Sequence, residues 1–359
     1  MKYNRVNKVL IEMEKCNLEQ ILVSSPHSIF YLTGEWIRSG ERMLALLIKK
    51  NGDHKLFVNR LFPINNGIDL DIVWYEDNEN PIDILSRYVE KNKTLGIDKD
   101  WPSRFLINLM DKGLVDNYVN SSGIIDRLRM IKDEEEIELM KIASKKNDNV
   151  MRNLWSEFKE GMTEKYYENI LRELYESEGI MDFSFTPIVA FSPNGSDPHH
   201  SIGKTKLKKG NSIVIDIGGI YKSYCSDMTR TIFFGEDPNE SDKEIYNIVK
   251  EANFKGIEAV KPGAKFSEVD LACRQYIDEH GYGKYFTHRT GHSIGLETHD
   301  FGDVSSSNNN ELMEGMIFSI EPGIYLPNRI GVRIEDLVLV TNKGVEVLND
   351  VTKDIVVIN

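Results

Sequence analysis

Four acids and five histidines carry the chemistry open to this chain. Asp216 sits in the run IVIDIGG (213–219) and Glu321 in FSIEPG (318–323). Both runs are apolar and strand-like, and an isolated carboxylate buried there would be costly unless paired or metal-bound. Each run turns through glycine and is followed by a second acid, Asp227 after Asp216 and Glu335 after Glu321. Ile215–Tyr221 is thus echoed by Ile320–Tyr325, one residue shorter. Two hairpins, each presenting a carboxylate pair, would suit a pseudo-symmetric site. His199, His200, His288, His292 and His299 lie in the same part of the chain. One such acid alone would cap a turn or meet an arginine. Four of them with these histidines point to a metal site.

Other readings of these residues fail on their own terms. Gly291-His292-Ser293-Ile294-Gly295 matches the G-x-S-x-G nucleophile elbow, which needs an acid and then a histidine later in the chain. The only histidine after Ser293 is His299, inside the same local segment. His288 and His292 have the i, i+4 spacing of H-E-x-x-H zinc helices, but Arg289 replaces the glutamate and Gly291 interrupts any helix. Lys204, Lys206, Lys208 and Lys209 lack the glycine-rich strand–helix turn of a phosphate cradle and read as a solvated hairpin. Cys16, Cys225 and Cys273 are odd in number and widely spaced, which fits neither a disulfide framework nor a thiolate zinc site.

The elements that must position these residues fall into two stretches. At 359 residues and 40% apolar, the chain can build two domain cores. Residues before about 125 alternate helix and strand signals: a helix over 6–15, strands at 20–24, 43–49 and 55–58, with Asn51-Gly52 as a hairpin turn between the last two. Helices over 81–91 and 102–112 then alternate with strands at 94–98 and 114–119, as in an α/β layer domain. Beyond the polar Asn120–Gly123 junction come long amphipathic helices over 132–159 and 163–177, and strands at 182–191, 212–218 and 228–234. Helices over 242–260 and 266–280 follow, then strands at 316–320 and 332–340. A net charge of −13 repels phosphate backbones, so nucleic acid is not an expected partner. The longest apolar run, Met43–Ile48, is too short to span a bilayer, and the charged N-terminus offers no signal-peptide stretch. The expectation is a reduced, cytoplasmic, soluble protein with no membrane partner.

The motifs IVIDIGG…YCSDMTRT, HRTGHSIGLETHD (288–300), FSIEPGIYLP (318–327) and GVRIED (331–336) resemble those of the creatinase-fold, or pita-bread, metallopeptidases. Within that group they are most similar to the Xaa-Pro aminopeptidase and Xaa-Pro dipeptidase (prolidase) branch. The resemblance extends more loosely to the N-terminal stretch through Phe30-Tyr31-Leu32-Thr33-Gly34. It implies an α+β protein: a pita-bread catalytic domain over 126–359 behind a smaller α/β domain over 1–125. It also implies two divalent ions, bridged by Asp227 and Glu335, with Asp216 on one and His292 and Glu321 on the other. Four carboxylates and one imidazole favour Mn2+, with Co2+, Fe2+ and Zn2+ as alternatives. Two such ions share a water and bring its pKa toward neutrality.

Carried over in the same way, Glu321 would pass the water's proton to the leaving nitrogen, and His299 would hydrogen-bond the scissile carbonyl. His199 and His288 match further active-site histidines, with His200 and Tyr325 as substrate-side candidates. Arg333 would brace the metal carboxylates. The expected substrate is a peptide or dipeptide with proline second, and the expected assembly a homodimer. In such a dimer Arg38, beyond the Tyr31–Gly34 match, would reach the substrate's terminal carboxylate. The segment before Pro198-His199 departs from the family's small-residue pattern and bears on the pocket. Two alternatives share parts of the pattern: a methionine aminopeptidase-like enzyme, and a metal-free creatinase-like hydrolase of a non-peptide substrate.

Overall fold

Six short strands build the sheet of the N-terminal part: β1 (Gln20–Val23), β2 (Ala45–Lys49), β3 (Lys55–Asn59), β4 (Asp71–Tyr75), β5 (Thr94–Ile97) and β6 (Asn117–Asn120). Their order is β4-β3-β2-β1-β5-β6. Asn51-Gly52 makes the expected turn, with Gly52 at φ +87°, and β2 pairs antiparallel with β3. The β1–β5 and β5–β6 pairs are parallel, crossed over by helices as parallel pairing requires. Around the sheet lie α1 (Tyr3–Lys15), α2 (Pro26–Thr33), α3 (Pro81–Leu85), α4 (Ser103–Met110) and α5 (Ser122–Met130). Leu22, Leu47, Phe57, Leu85, Leu95 and Leu109 are among the residues of its core. Each such side chain contributes about 1.5–3 kcal/mol by leaving water.

This computed structural model describes residues 1–64 and 68–359 and divides into two units, Met1–Arg129 and Met130–Asn359. The junction placed near residue 125 by composition falls inside α5. Several elements were not foreseen, among them α2, β4 and α5. The apolar run PHSIFYLT forms α2 because Ser25 caps it, Pro26 opens it and Gly34 closes it at φ +81°. The strand β4 pairs parallel with β3.

The second unit begins with α6 (Glu134–Trp155), opened by a capping box between Asp133 and Glu136, and α7 (Glu164–Ser177), capped by Thr163. There follow β7 (Ile188–Phe191), β8 (Ser212–Ile217), β9 (Ile220–Tyr221), β10 (Tyr224–Cys225) and β11 (Met228–Phe234). Next come α8 (Glu240–Ala259), α9 (Phe266–Glu279), β12 (Gly291–His292) and β13 (Asp303–Val304). The last strands are β14 (Ile317–Ile320), β15 (Gly323–Leu326), β16 (Ile330–Arg333), β17 (Asp336–Thr341), β18 (Gly344–Val347) and β19 (Val357–Ile358).

The internal echo in the sequence is a repeated topology. β8 pairs antiparallel with β11, and the short β9–β10 hairpin lies between them in the chain. In the same way β14 pairs antiparallel with β17, and β15–β16 lies between them. The single strand expected over 332–340 is therefore two, β16 and β17, interrupted at Ile334-Glu335. One core packs around α8 and α9 with Phe318, Val332 and Val338. A second packs α6 and α7 residues against β8 and β11. No helix among the described residues is long and apolar enough to cross a membrane.

Candidate metal centre and active site

Strand ends aim the acids inward. Asp216, on β8, sits opposite Thr229 on β11. Asp227 immediately precedes β11, Glu321 immediately follows β14, and Glu335 fills the break before β17. The Glu335 backbone N–H donates to the Thr229 carbonyl (3.1 Å) and that of Glu321 to the Thr290 carbonyl (2.8 Å). His292 lies on β12, and its N–H donates to Ser319 Oγ (3.0 Å). Gly291 makes that approach feasible, because a Cβ there would stand 1.9 Å from the Ser319 carbonyl oxygen.

Together these residues underlie a cavity of about 690 Å3, lined also by His199, His200, His288, His299, Arg289 and Arg333. Ligating atoms of Asp227, His292 and Glu335 lie within 4.8 Å of one another, all buried. Burial, then Glu335 and Asp216, raises the Asp227 carboxyl well above the usual range. Burial, then Glu321 and Asp216, does the same to Glu335. Glu321 is pushed up to about 7, by burial first.

Two observations show that the donor set fits divalent cations. Asp216 Oδ1, Asp227 Oδ1 and Glu335 Oε1 are buried with no hydrogen-bond partner among the described residues. Buried carboxylate oxygens left this way are strongly unfavourable without a counter-charge. His292 supplies the second. Its Nδ1 is 3.2 Å from the Ser293 carbonyl and must donate to it, so Nε2 carries the lone pair. That lone pair faces Asp227 Oδ2 at 3.6 Å and Glu321 Oε1 at 3.5 Å. Burial, then His299, holds the imidazole neutral, with a pKa lowered to about 3. Acceptors facing acceptors at this range are reconciled by a cation between them.

Arg333 lies behind the carboxylates. Its Nη2 donates to Asp216 Oδ2 (2.7 Å) and its Nε to Thr229 Oγ1 (3.1 Å). Thr229 in turn donates to Glu335 Oε2 (2.7 Å), so one guanidinium fixes an acid from each hairpin. Burial acts to lower its pKa, but Tyr325, Asp216 and Glu321 outweigh that and keep it charged.

Three further candidate residues are tied to protein neighbours. Tyr325 is buried, accepting from Arg333 Nη1 (2.9 Å) and lying 2.8 Å from His288 Nε2. His288 Nδ1 reaches the Arg289 carbonyl (2.7 Å), so both its ring nitrogens are occupied. Arg333, Tyr325 and His288 thus form a hydrogen-bonded chain at the edge of the cavity. Burial, then Arg333, lowers the His288 pKa to about 4, which keeps the ring neutral in that chain. His200 lines the cavity, but its Nε2 is engaged by Glu164 Oε2 (2.8 Å).

His299 and His199 are exposed at the cavity wall. The His299 ring stands edge-on to His292, with centroids 4.2 Å apart. Burial, then Arg289, lowers its pKa. Arg38 lies exposed in the N-terminal unit, in the irregular segment after α2.

Sequence reasoning did not find Arg289, which lines the cavity and makes no ion pair among the described residues. Nor did it find Asp270 on α9. This buried carboxylate takes the Thr290 N–H (3.2 Å) and hydroxyl (2.8 Å) and pairs with Arg274. Arg274 holds the carbonyls of Phe286 (3.2 Å) and His288 (2.9 Å). Those partners lie in separate elements, and no local motif announces them.

Comparison with known proteins agrees with this geometry. Residues 138–342 match the model of metallopeptidase family M24, and residues 5–131 that of the creatinase/prolidase N-terminal domain. An uncharacterized peptidase of Staphylococcus aureus is 39% identical over 357 residues, 97% of this chain and 99% of its own. Among solved structures, the prolidase from Thermococcus sibiricus is 33% identical with a TM-score of 0.95, over 100% of this chain and 99% of that one. The Xaa-Pro dipeptidase from Bacillus anthracis is 30% identical with a TM-score of 0.90, over the whole of both chains. The fold is thus the α+β pita-bread architecture with a small N-terminal domain, and its family implies divalent metal ions. The chain belongs to metallopeptidase family M24.

Proposed function

We propose that this peptidase hydrolyses the bond between a residue and a following proline, in dipeptides or at peptide N-termini. It would hold two divalent cations through Asp216, Asp227, His292, Glu321 and Glu335, with Mn2+ as the favoured ion, and act as a cytoplasmic homodimer. The observation that carries this reading is the neutral His292 imidazole, whose Nε2 lone pair faces carboxylate oxygens on the floor of a cavity. Prolidases and Xaa-Pro dipeptidases among the solved relatives support the choice of bond.

Bound there, the cations supply Lewis acidity, which polarises the scissile carbonyl and brings the attacking water's pKa toward neutrality. The protein's residues do the rest. Glu321 takes the proton released as water adds to the carbonyl carbon, and delivers it to the proline nitrogen as the C–N bond breaks. That nitrogen belongs to a tertiary amide, so it needs this proton to leave as an amine. His299 donates to the carbonyl oxygen as negative charge develops on it. Arg333 and Thr229 keep the Asp216 and Glu335 carboxylates in place while the reaction proceeds.

Arg289 favours dipeptides as the preferred substrate. A cation lining the cavity without an ion-pair partner is placed to meet a carboxylate, and in a dipeptide that carboxylate lies one residue beyond the scissile bond. The test strips metal from the enzyme, restores Mn2+, and measures cleavage of Ala-Pro, Ala-Pro-Ala and Met-Ala-Ser. Metal-restored cleavage of Ala-Pro, with little of Met-Ala-Ser, is expected. Arg289→Gln should raise KM for Ala-Pro by about tenfold and leave Ala-Pro-Ala nearly unchanged. An equivalent effect from Arg38→Ala instead would assign the carboxylate to the N-terminal unit. No Xaa-Pro turnover with metal bound would reject the proposed reaction.

A further inference from the structure

We propose that Glu164, which does not line the cavity, positions the wall that carries His199, with His200 as its handle. Glu164 is the first residue of α7 and is fully buried. Both of its carboxylate oxygens are doubly engaged, by the end of β7 and the loop that follows it. Oε1 accepts from the Phe191 N–H (3.1 Å) and from Asn194 Nδ2 (2.9 Å). Oε2 accepts from the Gly203 N–H (2.9 Å) and meets His200 Nε2 (2.8 Å). Four partners spread over 191–203 thus converge on one side chain.

The loop is tied on its other side as well. Arg333 Nη1 donates to the Pro198 carbonyl (3.3 Å), from the same guanidinium that holds Asp216. Between these two anchors hangs His199. Its backbone N–H is held by Asp197 Oδ1 (3.0 Å), while its ring lines the cavity near His288 and His299. The ring itself has no hydrogen-bond partner among the described residues. Its placement is therefore set by the loop, and the loop's placement by Glu164 and Arg333. A carboxylate accepts only, so His200 must present Nε2–H to it, which fixes that ring's tautomer. His200 serves as the connection from the wall to the buried acid. Phe191, Asn194, His200 and Gly203 are far from Glu164 in sequence, and α7 brings the acid to all four.

The catalytic consequence rests on the Xaa-Pro reading above, with the substrate in the cavity whose wall carries His199. Glu164→Gln preserves shape but turns one oxygen into a donor, so one backbone N–H, of Phe191 or of Gly203, loses its acceptor. His200→Leu removes only the handle, whereas His200→Gln can still donate to Oε2. The first arm is hydrogen exchange on the metal-loaded protein. Glu164→Gln and His200→Leu should speed exchange within 191–203 by about tenfold, with β8 unchanged. Equal rates in that loop, or equal acceleration in β8, would overturn the clamp. The second arm is a double-mutant cycle on Ala-Pro cleavage. Glu164→Gln and His200→Leu should each lower kcat/KM about tenfold, mainly through KM, and His200→Gln should restore most of it. In a His199→Ala background neither should add more than about twofold. Losses as large without His199 as with it would overturn the positioning role. Should the wild-type enzyme cleave no Xaa-Pro bond, the proposed reaction fails while the exchange arm still decides the clamp.

Discussion

At the scale of single residues, the site is a set of groups kept from their preferred charge states by burial. His292 stays neutral because a protonated ring would be desolvated, and its one free lone pair then has nothing but carboxylate oxygens to face. Glu321 is the least enclosed of the acids around it and is pushed only to about 7. At the edge of the cluster it is the acid placed to take a proton from water and return it to the leaving nitrogen. Glu321→Gln keeps an oxygen for Ser319 Oγ, now at 3.3 Å from Oε1, but cannot carry a proton. Steady-state kinetics should show kcat down by about 10²–10⁴-fold, with bound metal measured in parallel. A loss of less than about threefold in the metal-loaded variant would remove Glu321 from the proton path.

At the scale of elements, the two acid-bearing hairpins place their carboxylates at strand ends, and a buried ion network braces the second. Arg230 on β11 pairs with Asp336 (2.7 Å) and donates to the Glu335, Val351 and Thr352 carbonyls. Lys353 also pairs with Asp336. Burial acts against the ionised Asp336, yet Arg230 and Lys353 outweigh it and lower its pKa. Replacing Arg230 by Met leaves Asp336 with Lys353 alone and three carbonyls without their donor, and should cost about 3–5 kcal/mol in chemical denaturation. Arg230→Met with Asp336→Leu removes both charges but takes the acid partner from Lys353, so it should recover only part of the loss. If the double variant is as unstable as the single, the network does more than pair charges. What the sequence made legible follows from these same elements. Asp216, Asp227, Glu321 and Glu335 stood out because acids interrupt apolar strands, and β11, α8 and α9 were legible from periodicity within one or two residues. The break at Ile334-Glu335 was not, since GVRIEDLVLV reads as one apolar strand and only the Thr229 carbonyl, on another strand, draws the Glu335 N–H aside. Glu164, Asp270 and the engaged nitrogens of His288 were hidden for the same reason. Their partners are set by packing, and local sequence carries no trace of it.

For the molecule as a whole, the site makes stability depend on metal and pH together. Without metal, Asp227, Glu335 and Glu321 have folded pKa values above their unfolded values of 3.8, 4.5 and 4.5, Glu321 reaching about 7. Between the unfolded and folded values the native state holds more protons than the unfolded one, so stability falls as pH rises. His292 and His288 act oppositely, with folded values of about 3 and about 4 against 6.5 when unfolded. There the unfolded state holds the extra protons, so stability rises with pH, an effect that fades over about one unit above 6.5 as the unfolded histidines lose their protons. Above about pH 7.5 the carboxylates dominate. Metal-free protein should therefore lose thermal stability from about pH 7.5 to about 8.5, as charges with no partner are forced on buried oxygens. Divalent cations should remove that slope by binding the ionised acids. Asp227→Asn, which cannot ionise, should be more stable than wild type when both are metal-free at pH 8, by about 1–3 kcal/mol, and less stable when both are loaded. Thermal unfolding across this range, with and without chelator, measures the sign directly. A metal-free Tm that holds level or rises above about pH 7.5 would mean the acids are not strained by one another, and the case for cations at their centre would lose its physical basis.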